Sequence, residues 1–351
     1  MAYLNDAWYC AGFADELGAA DAEAAPRIRS LTMLGQPVML YRLASGAPVA
    51  LVDRCPHRFA PLSMGKIVED RVQCPYHGLE FNAQGACAVN PHGDRSVPKA
   101  AQVRALPVLE RHGALWVWMG NPAAADPALL PDFSDIDARP GWSRVQGHLH
   151  VQGNYQLISD NLLDLSHVPF LHPFLASKVP PPANFEPRIG LDQQGNTVTA
   201  TNLFCNMPIS ALYQMLWEHG EPPANVEMRA HMRWNPPANL LLDTGACVVD
   251  GPRDTGPSVP SAHWLTPETE TSTHYFWVAT RDRYVEDAQM SERVRNGIGG
   301  AFRMEDEPMV EAVQRNMGNA DLWSLKPVLL ATDGPAVRAR RTLDGLIKAQ
   351  A

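Results

Sequence analysis

Apolar positions in the first third of the chain come in short runs set off by turn residues. Pro37 to Leu43 and Val49 to Val52 read as β-strands separated by Ser45-Gly46-Ala47-Pro48. Gln102 to Leu109 and Ala114 to Met119 read as a second strand pair, joined through Glu110-Arg111-His112-Gly113. From Asn121 to Pro140 the chain turns to Ala, Pro and Asp, the composition of a connection, and a domain boundary is placed there. Beyond it, Ser143 to Val151 alternates as a strand does, and a helical stretch follows from about Asn154 to His167. Pro169 and Pro173 prevent that helix from continuing. Thr197 to Phe204, Leu240 to Asp243 and Thr273 to Thr280 are further strands. The last 65 or so residues read as helical, with Pro308 near a helix start. The pattern predicts an α+β protein: an all-β domain over 1–122, then an α+β domain with a central antiparallel sheet over 123–351.

Composition narrows the function classes. Of the 351 residues 45% are hydrophobic and 19% charged, enough to bury a core, with 31 Pro and 25 Gly for many turns. A net charge of −9 argues against a nucleic-acid binder, which needs a basic face to neutralise phosphates. No apolar run reaches the roughly 20 residues of a membrane span. The start Met1-Ala2-Tyr3-Leu4-Asn5-Asp6-Ala7-Trp8 lacks the basic opening and apolar stretch of a secretory signal, so a soluble, cytoplasmic protein is expected. Six cysteines are too few for a disulfide-built scaffold; Cys10, Cys87, Cys205 and Cys247 show no pairing pattern and read as ordinary buried thiols.

The remaining two cysteines carry chemistry. Cys55-Pro56-His57 and Cys74-Pro75-Tyr76-His77 each offer a thiolate and an imidazole on one short loop, with sixteen residues between the pairs. Zinc accepts two Cys and two His, but its usual fingers pair Cys with Cys and His with His locally. One of each per loop suits a two-iron cluster whose first iron takes Cys55 and Cys74 and whose second takes His57 and His77. Two neutral imidazoles in place of thiolates make such a cluster easier to reduce. This spacing resembles that of Rieske proteins.

A second constellation lies in Asp160-Asn161-Leu162-Leu163-Asp164-Leu165-Ser166-His167-Val168-Pro169-Phe170-Leu171-His172. The spacing predicts Asp160, Asp164 and His167 on one helix face, with a break at Pro169 and His172 on the next turn. Two histidines across a break, joined by a distant carboxylate, make the facial triad that leaves open positions on Fe(II) for O2. Two histidines five apart are also common in loops and cores, so the spacing alone leaves both readings open.

Asp-x2-His-x4-His after a Rieske pair resembles the catalytic domain of the Rieske non-haem iron oxygenases. Asn5-Asp6-Ala7-Trp8-Tyr9, Cys74-Pro75-Tyr76-His77-Gly78-Leu79-Glu80-Phe81, Asn90-Pro91-His92-Gly93 and Leu265-Thr266-Pro267-Glu268-Thr269-Glu270 are similar to the aromatic O-demethylase branch of vanillate and dicamba types. Arg233 to Asp243 looks closer to the vanillate type, since Leu242 stands near a position where the dicamba type has an amide. The resemblance implies His167 and His172 as iron ligands. It takes the third ligand from Met304-Glu305-Asp306-Glu307-Pro308-Met309-Val310-Glu311, at the start of a C-terminal helix, where Asp306 matches best and Glu305, Glu307 and Glu311 compete. It implies that the Asp164 carboxylate accepts a hydrogen bond from His167 and another from a neighbouring subunit's residue equivalent to His77. That places Asp164 and nearby Asn161 in the catalytic machinery and makes the protein a homotrimer. His263 aligns with a substrate-contacting histidine.

The expected activity is the terminal oxygenase step of oxidative O-demethylation of a methoxylated aromatic acid, vanillate first, giving a phenol and formaldehyde. No nucleotide-binding Gly-x-Gly-x-x-Gly follows a strand, so NADH is expected to act through a separate flavin and iron–sulfur reductase. The other readings are a Rieske oxygenase acting on a ring or another alkyl group, a non-catalytic Rieske electron carrier, and a zinc-binding structural protein.

Overall fold

A computed structural model describes residues 3–18, 28–172, 175, 179, 188–218 and 220–350. Pro173, expected to help end a helix, lies outside the described residues. The chain forms two compact units, one of Tyr3–Leu130 with Thr266–Thr269 and one built from Pro131–Leu265 and Glu270 onward.

The first unit consists of small antiparallel sheets. Trp8–Phe13 pairs with Ala114–Trp118, which pairs with Val108–Arg111. Arg29–Met33, Gln36–Arg42, Pro48–Val52 and Ala105–Leu106 form a second sheet. Lys66–Val68, Arg71–Gln73, Glu80–Phe81 and Cys87–Val89 form a third. The expected hairpin turns at His112-Gly113, because the strand before it runs on to Arg111. Its core is Tyr9, Tyr41, Trp116 and Trp118, all essentially inaccessible. Thr266–Thr269 belongs here through backbone bonds from Leu34 to Pro267 and from Gly35 to Glu268.

The second unit is built on a seven-stranded antiparallel sheet. In spatial order its strands are Ser143–Val151, Thr273–Arg281, Ser261–Pro267, Asn239–Cys247, Asn225–Asn235, Thr197–Pro208 and Arg188–Gln194. The α-helices include Tyr155–Leu163, Ala288–Ala301, Glu307–Met317 and Gly334–Gln350. The fold is thus the expected all-β domain followed by an α+β domain. Two glycines set the approach of the Ala288–Ala301 helix to the sheet: a Cβ on Gly147 would lie 2.6 Å, and one on Gly299 3.0 Å, from the Trp277 ring.

Two local expectations are corrected. The helix after Asn154 ends at Leu163, not His167. Asp164 leaves helical geometry (φ −115°, ψ 93°), and its side chain accepts from the Ser166 N–H to start a new turn, Leu165–His167. A short acidic side chain competes well for backbone donors at such a cap. Asp160, Asp164 and His167 therefore do not share a helix face. The break comes at Asp164, and Pro169 lies in the first turn of the next helix, Val168–Leu171, where its missing N–H costs nothing.

Pro308 stands at the second position of the helix Glu307–Met317, as expected, but that helix continues an earlier one. Ala288–Ala301 runs through a π-turn, Phe302–Asp306, straight into Glu307–Met317, all in right-handed helical geometry. The Glu307 N–H reaches back five residues to Phe302 O. Pro308 offers no N–H to the preceding turn, which is where the wider π-turn sits.

Candidate metal centres

The two Cys–His loops are built alike. Cys55 N–H donates to Ala60 O (2.9 Å) and Cys74 N–H to Leu79 O (2.8 Å). The return bonds, Phe59 N–H to Cys55 O (2.9 Å) and Gly78 N–H to Cys74 O (3.0 Å), close each loop. The fourth residue after each cysteine is left-handed, Phe59 at φ 62° and Gly78 at φ 71°. This geometry turns both cysteines inward and both histidines to one side: Cys55 and Cys74 are buried, while the His57 and His77 rings meet at 4.5 Å. Asp53 braces the first loop by accepting from Ser63 N–H (2.7 Å) and from the Ser30 hydroxyl (2.9 Å). His92, in the Asn90-Pro91-His92-Gly93 segment, donates from Nε2 to His77 O (2.8 Å) and braces the second.

The donors fit a Rieske cluster. His77 Nδ1 is shielded from solvent and has no hydrogen-bond partner among the described residues, as a metal-bound nitrogen would. Burial and the neighbouring His57 lower the His77 pKa, which favours the neutral imidazole that ligation needs. Burial pushes the Cys55 thiol up to about 11, so only a bound cation makes a thiolate favourable there. Cys10, Cys87, Cys205 and Cys247 are all free; Cys10 and Cys247 are buried, but Cys87 and Cys205 are only half-buried, which corrects that expectation.

Three side chains converge in the second unit. His167 Nε2 and His172 Nε2 lie 3.1 Å apart, and Asp306 Oδ1 is 3.5 Å from the first and 3.2 Å from the second. With metal–nitrogen bonds of about 2.1 Å, ligands at right angles sit about 3.0 Å apart. The triangle therefore fits one ion with a free side. It is the one group of three or more potential ligands found this close among the described residues. Burial disfavours a charged His172, yet Asp306 and Glu305 outweigh it and raise its pKa. The negative charge gathered there calls for a cation.

Each donor is held from behind. His167 Nδ1–H donates to the main-chain carbonyl of Asp164 (2.6 Å), not to its carboxylate as the resemblance implied. The carboxylate is engaged by Ser166 N–H through Oδ1 and by the Thr332 hydroxyl (3.0 Å) through Oδ2. His172 Nδ1–H donates to Glu305 Oε2 (2.7 Å). Asn161 Nδ2 donates to Asp306 Oδ1 (3.0 Å), so this amide orients the carboxylate. Of the competing carboxylates, Glu311 accepts from Gln152 N–H instead (3.0 Å), and burial raises the pKa of Glu307. Asp160, on the same helix as Asn161, meets the guanidinium of Arg340 at 2.7 Å.

His263 is buried on the same side of the sheet, its ring edge-on to Phe302 at 5.5 Å. Tyr275 OH lies 2.8 Å from Nδ1 and Ser261 Oγ 3.0 Å from Nε2. Burial pushes its pKa down to about 3, so the imidazole is neutral and acts by hydrogen bonding. Reading the sequence did not find Tyr275, Ser261, Arg340 or Thr332: Arg340 and Thr332 are more than 160 residues from their partners, and Ser261 and Tyr275 meet His263 only through the pairing and side-chain alternation of neighbouring strands.

Residues 7–107 match the Rieske [2Fe-2S] domain family and residues 151–349 the vanillate O-demethylase oxygenase C-terminal domain family. The chain is 38% identical to the chloroacetanilide N-alkylformylase oxygenase component of Rhizorhabdus wittichii, over 99% of this chain and 97% of that one. It is 34% identical to the dicamba O-demethylase oxygenase component of Stenotrophomonas maltophilia, over the whole of both. The crystal structure of dicamba monooxygenase bound to 3,6-dichlorosalicylic acid superposes with a TM-score of 0.90 at 33% identity, covering 100% of this chain and 99% of that one. The chain therefore belongs to the Rieske non-haem iron oxygenases of the vanillate O-demethylase type, a family of oxidoreductases.

Proposed function

We propose that this chain is the terminal oxygenase of a multicomponent Rieske monooxygenase that O-demethylates a methoxylated aromatic acid, vanillate first, to a phenol and formaldehyde. The observation that carries the reading is the triangle of His167, His172 and Asp306, with its free side, in a chain that also carries the paired Cys–His loops. In this reading residues 1–122 are the cluster domain and 123–351 the catalytic domain. Cys55, Cys74, His57 and His77 hold the [2Fe–2S] cluster, and His167, His172 and Asp306 hold the mononuclear Fe(II). When bound, these groups supply one-electron transfer and O2 activation toward a C–H bond.

The chain's own groups position and shield. Asn161 aims Asp306, and the Asp164 carbonyl aims His167. The neutral set of Ser261, His263 and Tyr275 offers hydrogen bonds to a substrate oxygen, and Phe302 and Trp277 supply an apolar wall. The designation "oxygenase component" of two relatives supports a separate reductase, here a flavin and iron–sulfur protein using NADH. Asp164, half-buried, is the proposed crossing point for electrons from the cluster of a neighbouring subunit in a homotrimer. No helix among the described residues is long and apolar enough to cross a membrane, and a cytoplasmic site of action is part of the proposal.

A single-turnover assay tests the reaction. Iron-loaded protein, reduced anaerobically, is mixed with O2 and a panel of methoxybenzoates including vanillate. Stoichiometric formaldehyde with the matching phenol is expected. The identity with the N-alkylformylase component favours a neighbouring reading, attack on another alkyl group, and hydroxylated product without formaldehyde from a methoxyl would move the assignment there.

A further inference from the structure

Two carboxylates from consecutive residues reach the two nitrogens of one imidazole. His172 is buried; its Nε2 faces Asp306 Oδ1 (3.2 Å) and its Nδ1 meets Glu305 Oε2 (2.7 Å). The Nε2 atom also faces His167 Nε2, so Nε2 is the ligating edge and Nδ1 carries the proton. His167 is supported differently, its Nδ1 meeting the uncharged Asp164 carbonyl. The two imidazoles are therefore unequal donors: one leans on an anion, the other on a neutral dipole. Glu305 reaches the far edge of the ring because it is one methylene longer than Asp306 and lies in the same π-turn. Nothing in the run Met304-Glu305-Asp306-Glu307 assigns these two roles, since adjacent carboxylates are chemically near-equivalent.

We propose that Glu305 is a positioning residue of the iron site, fixing the tautomer and ring plane of His172 and strengthening it as a donor through a charged hydrogen bond. This rests on the reading of His167, His172 and Asp306 as the ligand set. Glu305 does not itself touch the ion. Its negative charge joins that of Asp306, so that the two carboxylates together balance a divalent cation between neutral imidazoles.

The test uses full-length protein with its cluster intact and the mononuclear site stripped, titrated with Fe(II) against a chromogenic chelator. The same proteins loaded with Co(II) are followed by EPR, with the cluster oxidised and therefore silent. Glu305→Gln, which keeps size and an acceptor but removes the charge, is expected to bind Fe(II) about 10- to 100-fold more weakly. Its cobalt spectrum should change while thermal unfolding and the cluster spectrum do not. Glu305→Ala should lose at least as much affinity, and Glu307→Gln, one residue on, should bind as the wild type does. Wild-type affinity and an unchanged cobalt spectrum in Glu305→Gln overturn the proposal, even if Glu305→Ala is weakened, because the charge would then play no part. His172→Ala separates the two levels: if it still binds Fe(II) tightly, the ligand set itself is wrong, whereas loss there with no loss in Glu305→Gln refutes only the role of Glu305.

Discussion

Asn161 and His263 are single side chains with two different proposed tasks, aiming the Asp306 carboxylate and contacting a substrate. Asn161 donates an amide hydrogen bond to Asp306 Oδ1, so Asn161→Ala frees the carboxylate to rotate. Iron binding should weaken by about 10-fold, with matching loss of product and no change in unfolding temperature, as measured by iron retained after dialysis against a chelator. His263 makes a prediction in pH. Its pKa is about 3 in the folded protein, against 6.5 for an exposed histidine. Between those values the unfolded chain takes up the proton and the folded chain does not. The contribution to stability is therefore complete above pH 6.5 and is lost as pH falls toward 3, at about 1.4 kcal/mol per pH unit. The stability difference between wild type and His263→Gln should be flat above pH 6.5 and shrink below it; parallel pH curves would refute the assignment.

At the scale of elements, a half-buried ion pair ties the C-terminal helix to the helix that leads into the ligands. Arg340 donates from Nε and a terminal nitrogen to Asp160 (2.9 and 2.7 Å) and reaches Gln156 Oε1 at 2.7 Å. Burial raises the Asp160 pKa, while Arg340 opposes it. Arg340→Met removes the counter-charge and leaves Asp160 and Gln156 without their partner. A loss of about 1–2 kcal/mol is expected by denaturant unfolding, because Asp160 is left unpaired while only partly reached by water. Strands were the most legible elements: Ser143–Val151 is where alternation puts it, and Thr273–Arg281 extends the expected run by one residue. Helix ends were the least legible. Asp164 stops one helix by capping the next turn, and the π-turn before Pro308 leaves no mark in hydrophobic periodicity. Both features depend on which backbone donors find partners once the chain has folded.

For the whole molecule, the trimeric reading carries its own test. Subunits with His77→Ala lack a complete cluster, and subunits with His167→Ala lack a complete iron site. If electrons cross between subunits near Asp164, co-expressed mixed oligomers should recover activity that neither variant shows alone. Absence of recovery in verified mixed oligomers would confine transfer to one chain. Light scattering of the wild type should give the mass of three 38.5 kDa chains.

The cluster ligands could be named from chain order because each Cys–His pair lies on one short loop, and a loop of three or four residues has few ways to present its donors. The spacing of His167 and His172 left both readings open, and they were named through the family resemblance. Among the carboxylates, Asp306 was named only through the family resemblance, because Glu305, Glu307 and Glu311 nearby have the same chemistry, and Asp164 was expected to act through its carboxylate where its carbonyl meets His167. Their roles follow from the π-turn, which turns Asp306 and Glu305 to opposite edges of His172, and from the cap at Asp164, which offers His167 a carbonyl in place of a carboxylate. Asp160 and Arg340 met only through the docking of distant helices. Local spacing specifies which metals the chain can hold, whereas the hydrogen bonds that tune them depend on contacts between segments far apart in the chain, which form only when the core is packed.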